Sequence, residues 1–214
     1  AEKTAIAPGQ TLTVGLRLIH DPHWHTYWRN PGDSGLPTQL EWQLPPGWKA
    51  SAIQWPTPKR IAVGPLANFG FEGDLVLPVE LTAPASVSGS EVRIVAKASW
   101  LVCKDVCIPG EAVLALRLPI AQDVKSISLS ADAPRFAAAR EQIPQKDSAR
   151  TVKAFVDQGT LVMTWGGTPA EASGFFYPYA EGLIAPAAAQ RMSRTADGWR
   201  LDIPLGESPA AALE

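Results

Sequence analysis

Two cysteines, Cys103 and Cys107, stand with three residues between them, Lys104-Asp105-Val106, and the chain has no others. Thiols at that spacing can pass electrons by thiol-disulfide exchange, form a minor structural bridge, or offer soft ligands to a metal ion. A bond between them closes a very short loop, worth roughly 2 kcal/mol by the chain-entropy estimate against roughly 4 to 5 for a bridge spanning a domain. It would therefore hold little of a fold together. Short, exposed bridges are the labile kind, which favours redox exchange over stapling. Lys104 favours a thiolate at Cys103 and Asp105 opposes it, so local charge leaves the acidity of the pair undecided.

A second group that could do chemistry is His20, His23 and His25. On a strand, His23 and His25 share a face. With Cys103 and Cys107 they would make a nitrogen and sulfur site suited to copper(I) or zinc. The alternative is that the histidines flank a turn and His25 packs among tryptophans. A cysteine nucleophile with a histidine base would also need an oxyanion site, and none is evident. No cofactor is implied.

These residues need elements to hold them. Residues 91–102 read as a β-branched, apolar strand, Ile108-Pro109-Gly110 as a turn signal and residues 112–118 as the next strand, which places the cysteines at a strand-to-strand handover. Residues 11–19 alternate, with Leu12, Val14, Leu16 and Leu18 on one face. Residues 23–29 form an aromatic-rich strand stopped by Asn30-Pro31-Gly32-Asp33. Residues 36–44, 48–55 and 74–81 read as further strands, and Pro78 makes the last an edge or bulged strand. Residues 64–73 read as a glycine-punctuated loop whose Phe69 and Phe71 either plug an end of the fold or form a lid over the cysteines. Seven or more short strands and no helical period before residue 120 indicate an all-β, immunoglobulin-like β-sandwich.

After Pro119 the chain becomes alanine-rich and carries no motif for chemistry. Residues 133–142 suit a short helix with Pro134 in its first turn. Residues 151–156 and 160–165 flank Asp157-Gln158-Gly159 as a hairpin, and 174–179 and 198–205 read as strands. The expected organisation is a domain over residues 1–122 carrying the Cys pair and a second, smaller β-rich domain over 123–214.

The net charge of −2 over 214 residues argues against nucleic acid or an anionic membrane surface as partner. No apolar run reaches 18 residues, so this stretch is not expected to insert in a membrane. The start Ala1-Glu2-Lys3-Thr4 lacks signal-peptide features, which implies a cytosolic chain or a signal already removed. Leu213-Glu214 reads as a vector scar at the end of a piece cut from a longer protein.

Three blocks together resemble a known family: residues 24–35 (Trp-His-Thr-Tyr-Trp-Arg-Asn-Pro-Gly-Asp-Ser-Gly), 68–73 (Asn-Phe-Gly-Phe-Glu-Gly) and 100–109 (Trp-Leu-Val-Cys-Lys-Asp-Val-Cys-Ile-Pro). They look like the N-terminal periplasmic part of the DsbD-like reductases, and most like the ScsB branch linked to suppression of copper sensitivity. The resemblance implies a periplasmic, immunoglobulin-like module of an inner-membrane protein. Its partners would be the transmembrane and thioredoxin-like domains of the same reductase, which supply electrons, and thioredoxin-like periplasmic proteins, which receive them. By motif position Cys103 and Cys107 are the working pair, with Cys107 attacking and Cys103 resolving. Asn68, Phe69, Gly70 and Phe71 correspond to a cap loop. Tyr27, Trp28 and Trp100 would line the pocket, and Glu72 would assist proton transfer or sit on the surface. The pair in DsbD itself is more widely spaced than the three intervening residues here.

Overall fold

The computed structural model describes residues 1–148, 150–167 and 174–209. Leu213-Glu214 lie outside the described residues. In chain order the strands are β1 (Thr11–Ile19), β2 (His25–Gly32), β3 (Gln39–Gln43), β4 (Lys49–Ala50), β5 (Lys59–Val63), β6 (Leu66–Glu72), β7 (Asp74–Thr82), β8 (Glu91–Cys103) and β9 (Cys107–Pro119). They are followed by α1 (Ala133–Glu141), β10 (Val152–Asp157), β11 (Thr160–Gly166), β12 (Arg191–Arg194) and β13 (Gly198–Pro204). Among the described residues the chain is all-β apart from α1 and one short turn of 3-10 helix. It divides into two compact units, one of Ala1–Thr26, Pro37–Thr57 and Phe71–Pro144, the other of Tyr27–Leu36, Pro58–Gly70 and Gln145–Glu214.

The first unit is an immunoglobulin-like sandwich of antiparallel strands. One sheet has the order β1-β7-β4. Its register sets Leu12 opposite Leu81, Val14 opposite Val79 and Leu16 opposite Leu77, which puts the apolar half of each alternating strand on one face. In the other sheet β8 pairs along its whole length with β9 and also with β3 and the first two residues of β2. Leu12, Val14, Val79, Leu81, Val92, Ile94 and Leu118 from the two sheets form one buried cluster with Trp48, which precedes β4. Burying each such side chain contributes about 1.5–3 kcal/mol. α1 packs on β7 in this unit. Gly15 makes room for it, since a Cβ there would lie 3.0 Å from the Phe136 ring.

Several elements differ from the sequence expectation for identifiable reasons. β7 is not bulged: its register with β1 is unbroken through Pro78 opposite Gly15. β4 reaches only Leu81 and Thr82 on its other side, so the missing N–H of Pro78 breaks no ladder there. The strand expected over 48–55 shrinks to two residues. Beyond Ala50, single bonds from Ser51 N–H to Glu80 and from Gln54 N–H to Pro78 replace a ladder. The loop expected over 64–73 is a strand. Gly64 and Gly73 take positive φ at its two ends, and β6 between them pairs with β5, with Gly70 opposite Lys59.

In the second unit β10, β11, β13 and β12 form a four-stranded sheet in that order. The β10–β11 hairpin turns through Gln158 and Gly159, both at positive φ, as that sequence anticipates. Leu161, Val162, Trp199, Leu201 and Ile203 are buried on the sheet. Residues 174–179 do not form the expected strand. Their backbone is held by a side chain instead: Phe176 N–H donates to Gln190 Oε1 at 2.7 Å, and Gln190 Nε2 donates to Phe176 O at 3.0 Å. This frees Phe175 and Tyr177 to pack edge-on against Phe69, with centroids at 6.1 and 5.1 Å. Trp28 meets Phe69 and Tyr177 in the same cluster.

Candidate functional site

The β8–β9 hairpin runs in register from Glu91 opposite Pro119 to Cys103 opposite Cys107. Ile108-Pro109-Gly110, expected to be a turn, lies inside β9. The turn is Lys104-Asp105-Val106, closed by Lys104 N–H donating to Val106 O at 3.1 Å. Proline is tolerated in β9 because that strand lies at the edge of its sheet. A hydrogen-bonded pair of Leu101 and Pro109 would lack one of its two bonds, so this pair is of the non-hydrogen-bonded kind. By alternation Cys103 and Cys107 are too.

Cys103 and Cys107 are joined, with S–S 2.02 Å and Cα atoms 4.1 Å apart, near the ~4.5 Å of a non-hydrogen-bonded pair. Their surroundings differ sharply. Cys103 is 2% exposed, whereas Cys107 is on the surface. Val106 and Ile108 on either side of Cys107 are also exposed, an apolar rim for a small polar target. Because the bond closes so short a loop, reducing it is expected to lower the unfolding free energy by roughly 2 kcal/mol or less. Urea titration of oxidised and reduced chain checks this; loss of the folded state on reduction would make the bridge structural.

His25 is buried opposite Cys103 in the ladder between β2 and β8. Burial disfavours its charged form and holds it below the ordinary histidine range; Glu72 pulls the value up and His20 pushes it down, both less strongly. The unfolded chain therefore binds a proton at His25 at higher pH than the folded chain does. Stability is expected to fall as pH drops from about 6.5 through the lower folded value. His25→Gln should flatten that part of the urea midpoint against pH, and an unchanged slope would contradict the assignment.

His20 is held at both ring nitrogens. Nδ1 lies 2.7 Å from Gly73 O, which only accepts, so Nδ1 carries the proton; Nε2 lies 2.9 Å from Thr26 Oγ1. His23 is not on β2 but in the turn before it, exposed and at φ 70°, so it does not share a strand face with His25. Among the described residues no group of three or more His, Cys, Asp or Glu is placed to hold a metal. Of the residues that suggested a copper site, His23 stands off the strand while His25 faces Cys103 in the ladder.

On the reverse face of the hairpin a groove of about 330 Å³ is lined by Leu18, Ile19, Trp24, Trp100, Val102 and Ile108, among others. Trp100 lies across β9 at Gly110, where a Cβ would come within 2.6 Å of the indole. Ile19, expected only as the end of a strand, is 70% exposed at this groove. Alternation sets it on the face opposite Leu12, Val14, Leu16 and Leu18, so its exposure is legible, but nothing in the sequence tied it to this groove.

The residues expected at the site fall in both units. Cys103, Cys107, Phe71, Glu72 and Trp100 belong to the first unit; Tyr27, Trp28, Asn68, Phe69 and Gly70 belong to the second. Phe71 is buried and stacks on Trp55, with centroids 6.3 Å apart and planes at 10°. Glu72 is exposed. Asn68 is buried, its side-chain oxygen accepting from Ser34 N–H at 3.2 Å and from Ser34 Oγ–H at 3.0 Å. Phe69 is fully buried in the aromatic cluster, and Tyr27 and Trp28 are buried as well.

The family model described as thiol:disulfide interchange protein DsbD, N-terminal, matches residues 1–119, ending where β9 ends. No curated protein sequence matches the chain. Among solved structures, the N-terminal periplasmic domain of ScsB from Proteus mirabilis matches with a TM-score of 0.68 at 19% identity, over 97% of this chain and 80% of that one. At that identity the likeness speaks for the fold.

Proposed function

The chain belongs to the DsbD N-terminal family of thiol:disulfide interchange proteins, and from that premise we propose that it is a periplasmic thiol-disulfide oxidoreductase module. It receives reducing equivalents from transmembrane and thioredoxin-like domains of its own reductase and delivers them to oxidised thioredoxin-like proteins of the periplasm. The periplasmic location and the ScsB-like branch are supported by the likeness to the ScsB domain across nearly the whole chain.

The observation that carries the reading is the asymmetric pair: two bonded sulfurs at a hairpin end, with Cys107 exposed and Cys103 buried. In the reduced chain the Cys107 thiolate attacks one sulfur of the partner's disulfide. The Cys107–partner bond forms, the partner's S–S bond breaks, and one partner thiolate leaves. The Cys103 thiolate then attacks Cys107 Sγ, closing the bond in the chain and releasing the second partner thiolate. Two electrons and two protons have moved from chain to partner. The buried sulfur resolves because only its neighbour can reach it. Phe71, stacked on Trp55 in the same unit, is the member of the expected cover that we retain as a shield for the pair.

Redox titration tests the proposal. In glutathione or dithiothreitol buffers the pair should interconvert reversibly, with a midpoint in the range of about −120 to −270 mV occupied by disulfide carriers, and without change in the far-ultraviolet circular dichroism. A pair that stays oxidised below about −300 mV would behave as a structural bridge instead.

A further inference from the structure

Three side chains of the cysteine site stand in one row across three strands. His25 of β2 lies directly opposite Cys103 of β8, and Cys103 lies directly opposite Cys107 of β9. Side chains that oppose one another in an antiparallel ladder leave the sheet on the same face, with Cβ atoms about 4.5–5.5 Å apart, a gap that an imidazole spans. His25 thus stands on the side of Cys103 away from Cys107. Thr26, Val102 and Ile108, the neighbours along the three strands, belong to the reverse face. His25 and Cys103 are 3% and 2% exposed, whereas Cys107 is on the surface. A buried thiol keeps its proton, because burial disfavours the thiolate, yet the thiolate is the form that attacks a disulfide. Lys104 and Asp105, beside Cys103 in the turn, are exposed, and so is Glu72. The His20 ring is engaged by Gly73 O and Thr26 Oγ1. Among these titratable groups His25 alone is buried with the sulfur.

We propose that His25 is the proton acceptor for Cys103 in the resolving step of the exchange. This rests on reading Cys103 and Cys107 as an exchange pair. In the mixed disulfide Cys107 is bonded to the partner and Cys103 is a neutral thiol. As Cys103 Sγ attacks Cys107 Sγ, its proton passes to a ring nitrogen of His25 and the Cys103–Cys107 bond forms. The Cys107–partner bond breaks with its electron pair on the partner's sulfur. The imidazolium then yields its proton to that thiolate or to water, so one dithiol has been oxidised and one disulfide reduced. Neither charge is stable alone in a buried site, so the proton moves as the new bond forms and no lone thiolate builds up. Run backwards, the same step lets Cys103 leave as a neutral thiol when the pair is reduced. Burial holds His25 below the ordinary histidine range, with Glu72 raising the value and His20 lowering it, both less strongly. At neutral pH the ring is therefore uncharged and able to accept, with a conjugate acid that titrates close to the working pH, as general-base help requires.

One equivalent of dithiobis(nitrobenzoate), added to the reduced full chain, separates the two steps. Attack by Cys107 releases a first thionitrobenzoate and resolution by Cys103 releases the second, and stopped-flow absorbance reads both. With His25 as acceptor the second release should be nearly level between about pH 6.5 and 8, because the ring is already uncharged there. In His25→Gln the second release should be about a hundredfold slower at pH 7, the lower end of the roughly 10²–10⁴-fold that a general base contributes. It should also climb about tenfold per pH unit as thiolate accumulates, while the first release is unchanged. Equal second releases in the two chains would overturn the assignment and leave the exchange reading standing. Slowing of both releases to the same degree would mark a structural role for His25 and overturn the assignment as well. Release of a single equivalent by the unmodified chain, with the adduct persisting, would overturn the exchange reading itself. Should His25→Gln not fold, the unmodified chain decides alone: a level second release supports the assignment, and a tenfold rise per pH unit refutes it.

Discussion

Cys107→Ala is expected to abolish electron transfer to an oxidised thioredoxin-like partner, down to the rate seen without the chain. The exposed sulfur is the one a partner can reach, and Cys103, at 2% exposure, cannot substitute for it. Cys103→Ala should fail differently. Its Cys107 can still attack, but nothing resolves the adduct, so a mixed disulfide accumulates on non-reducing gels. Both variants should keep their fold, with a loss of roughly 2 kcal/mol at most, because the bond they remove constrains so few residues of the unfolded chain. A Cys107→Ala chain that unfolds, or a Cys103→Ala chain that still turns over, would contradict the asymmetry.

The second large effect is expected at Phe69. Its side chain is fully buried and meets Trp28, Phe175 and Tyr177 edge-on, so Phe69→Ala opens a cavity among three aromatic rings. A cost of about 3–5 kcal/mol follows from comparable truncations, a large part of the 5–15 kcal/mol that holds a typical domain together. Phe69→Leu, which keeps most of the volume, should lose much less. Chemical denaturation followed by tryptophan fluorescence reads both, since Trp28 belongs to the cluster. A loss under about 1 kcal/mol for Phe69→Ala would mean that the ring swings free of its neighbours, as a hinged lid does.

Much of this molecule can be read directly from the chain. Strict alternation at Leu12, Val14, Leu16 and Leu18 marked β1, Pro134 marked the first turn of α1, and Asp157-Gln158-Gly159 marked the β10–β11 hairpin. The handover that holds the cysteines was also legible, because β-branched runs on both sides of it left little else to fold. What misled were local signals whose meaning depends on distant partners. Pro109 and Gly110 look like a turn, yet at a sheet edge a proline breaks no ladder, and Trp100 needs the space above Gly110. Glycines at 64, 70 and 73 look like a loop, yet only the outer two bend the chain, and β5 captures the rest as a strand. Phe175 and Tyr177 look like strand residues, but Gln190 takes both backbone groups of Phe176 between them, and the segment stays outside any sheet.

Within the site, residue type announced the sulfur chemistry, but not which sulfur faces outward. That difference comes from what packs over each cysteine, and spacing along the chain carries no information about it. The strand placement of His25 likewise shows in sequence, whereas the positive φ of His23, which takes it off the strand face, does not.

The most direct test is a single turnover. Fully reduced chain is mixed with an equal amount of an oxidised thioredoxin-like protein of the DsbA type, whose potential of about −120 mV lies at the oxidising end of the range expected for the pair, quenched in acid at intervals and analysed by mass spectrometry with peptide mapping. A Cys103–Cys107 disulfide should appear one for one with the acceptor's dithiol, through a transient adduct mapped to Cys107. If both cysteines remain thiols while the acceptor stays oxidised, or the adduct maps to Cys103, the electron-carrying account is wrong.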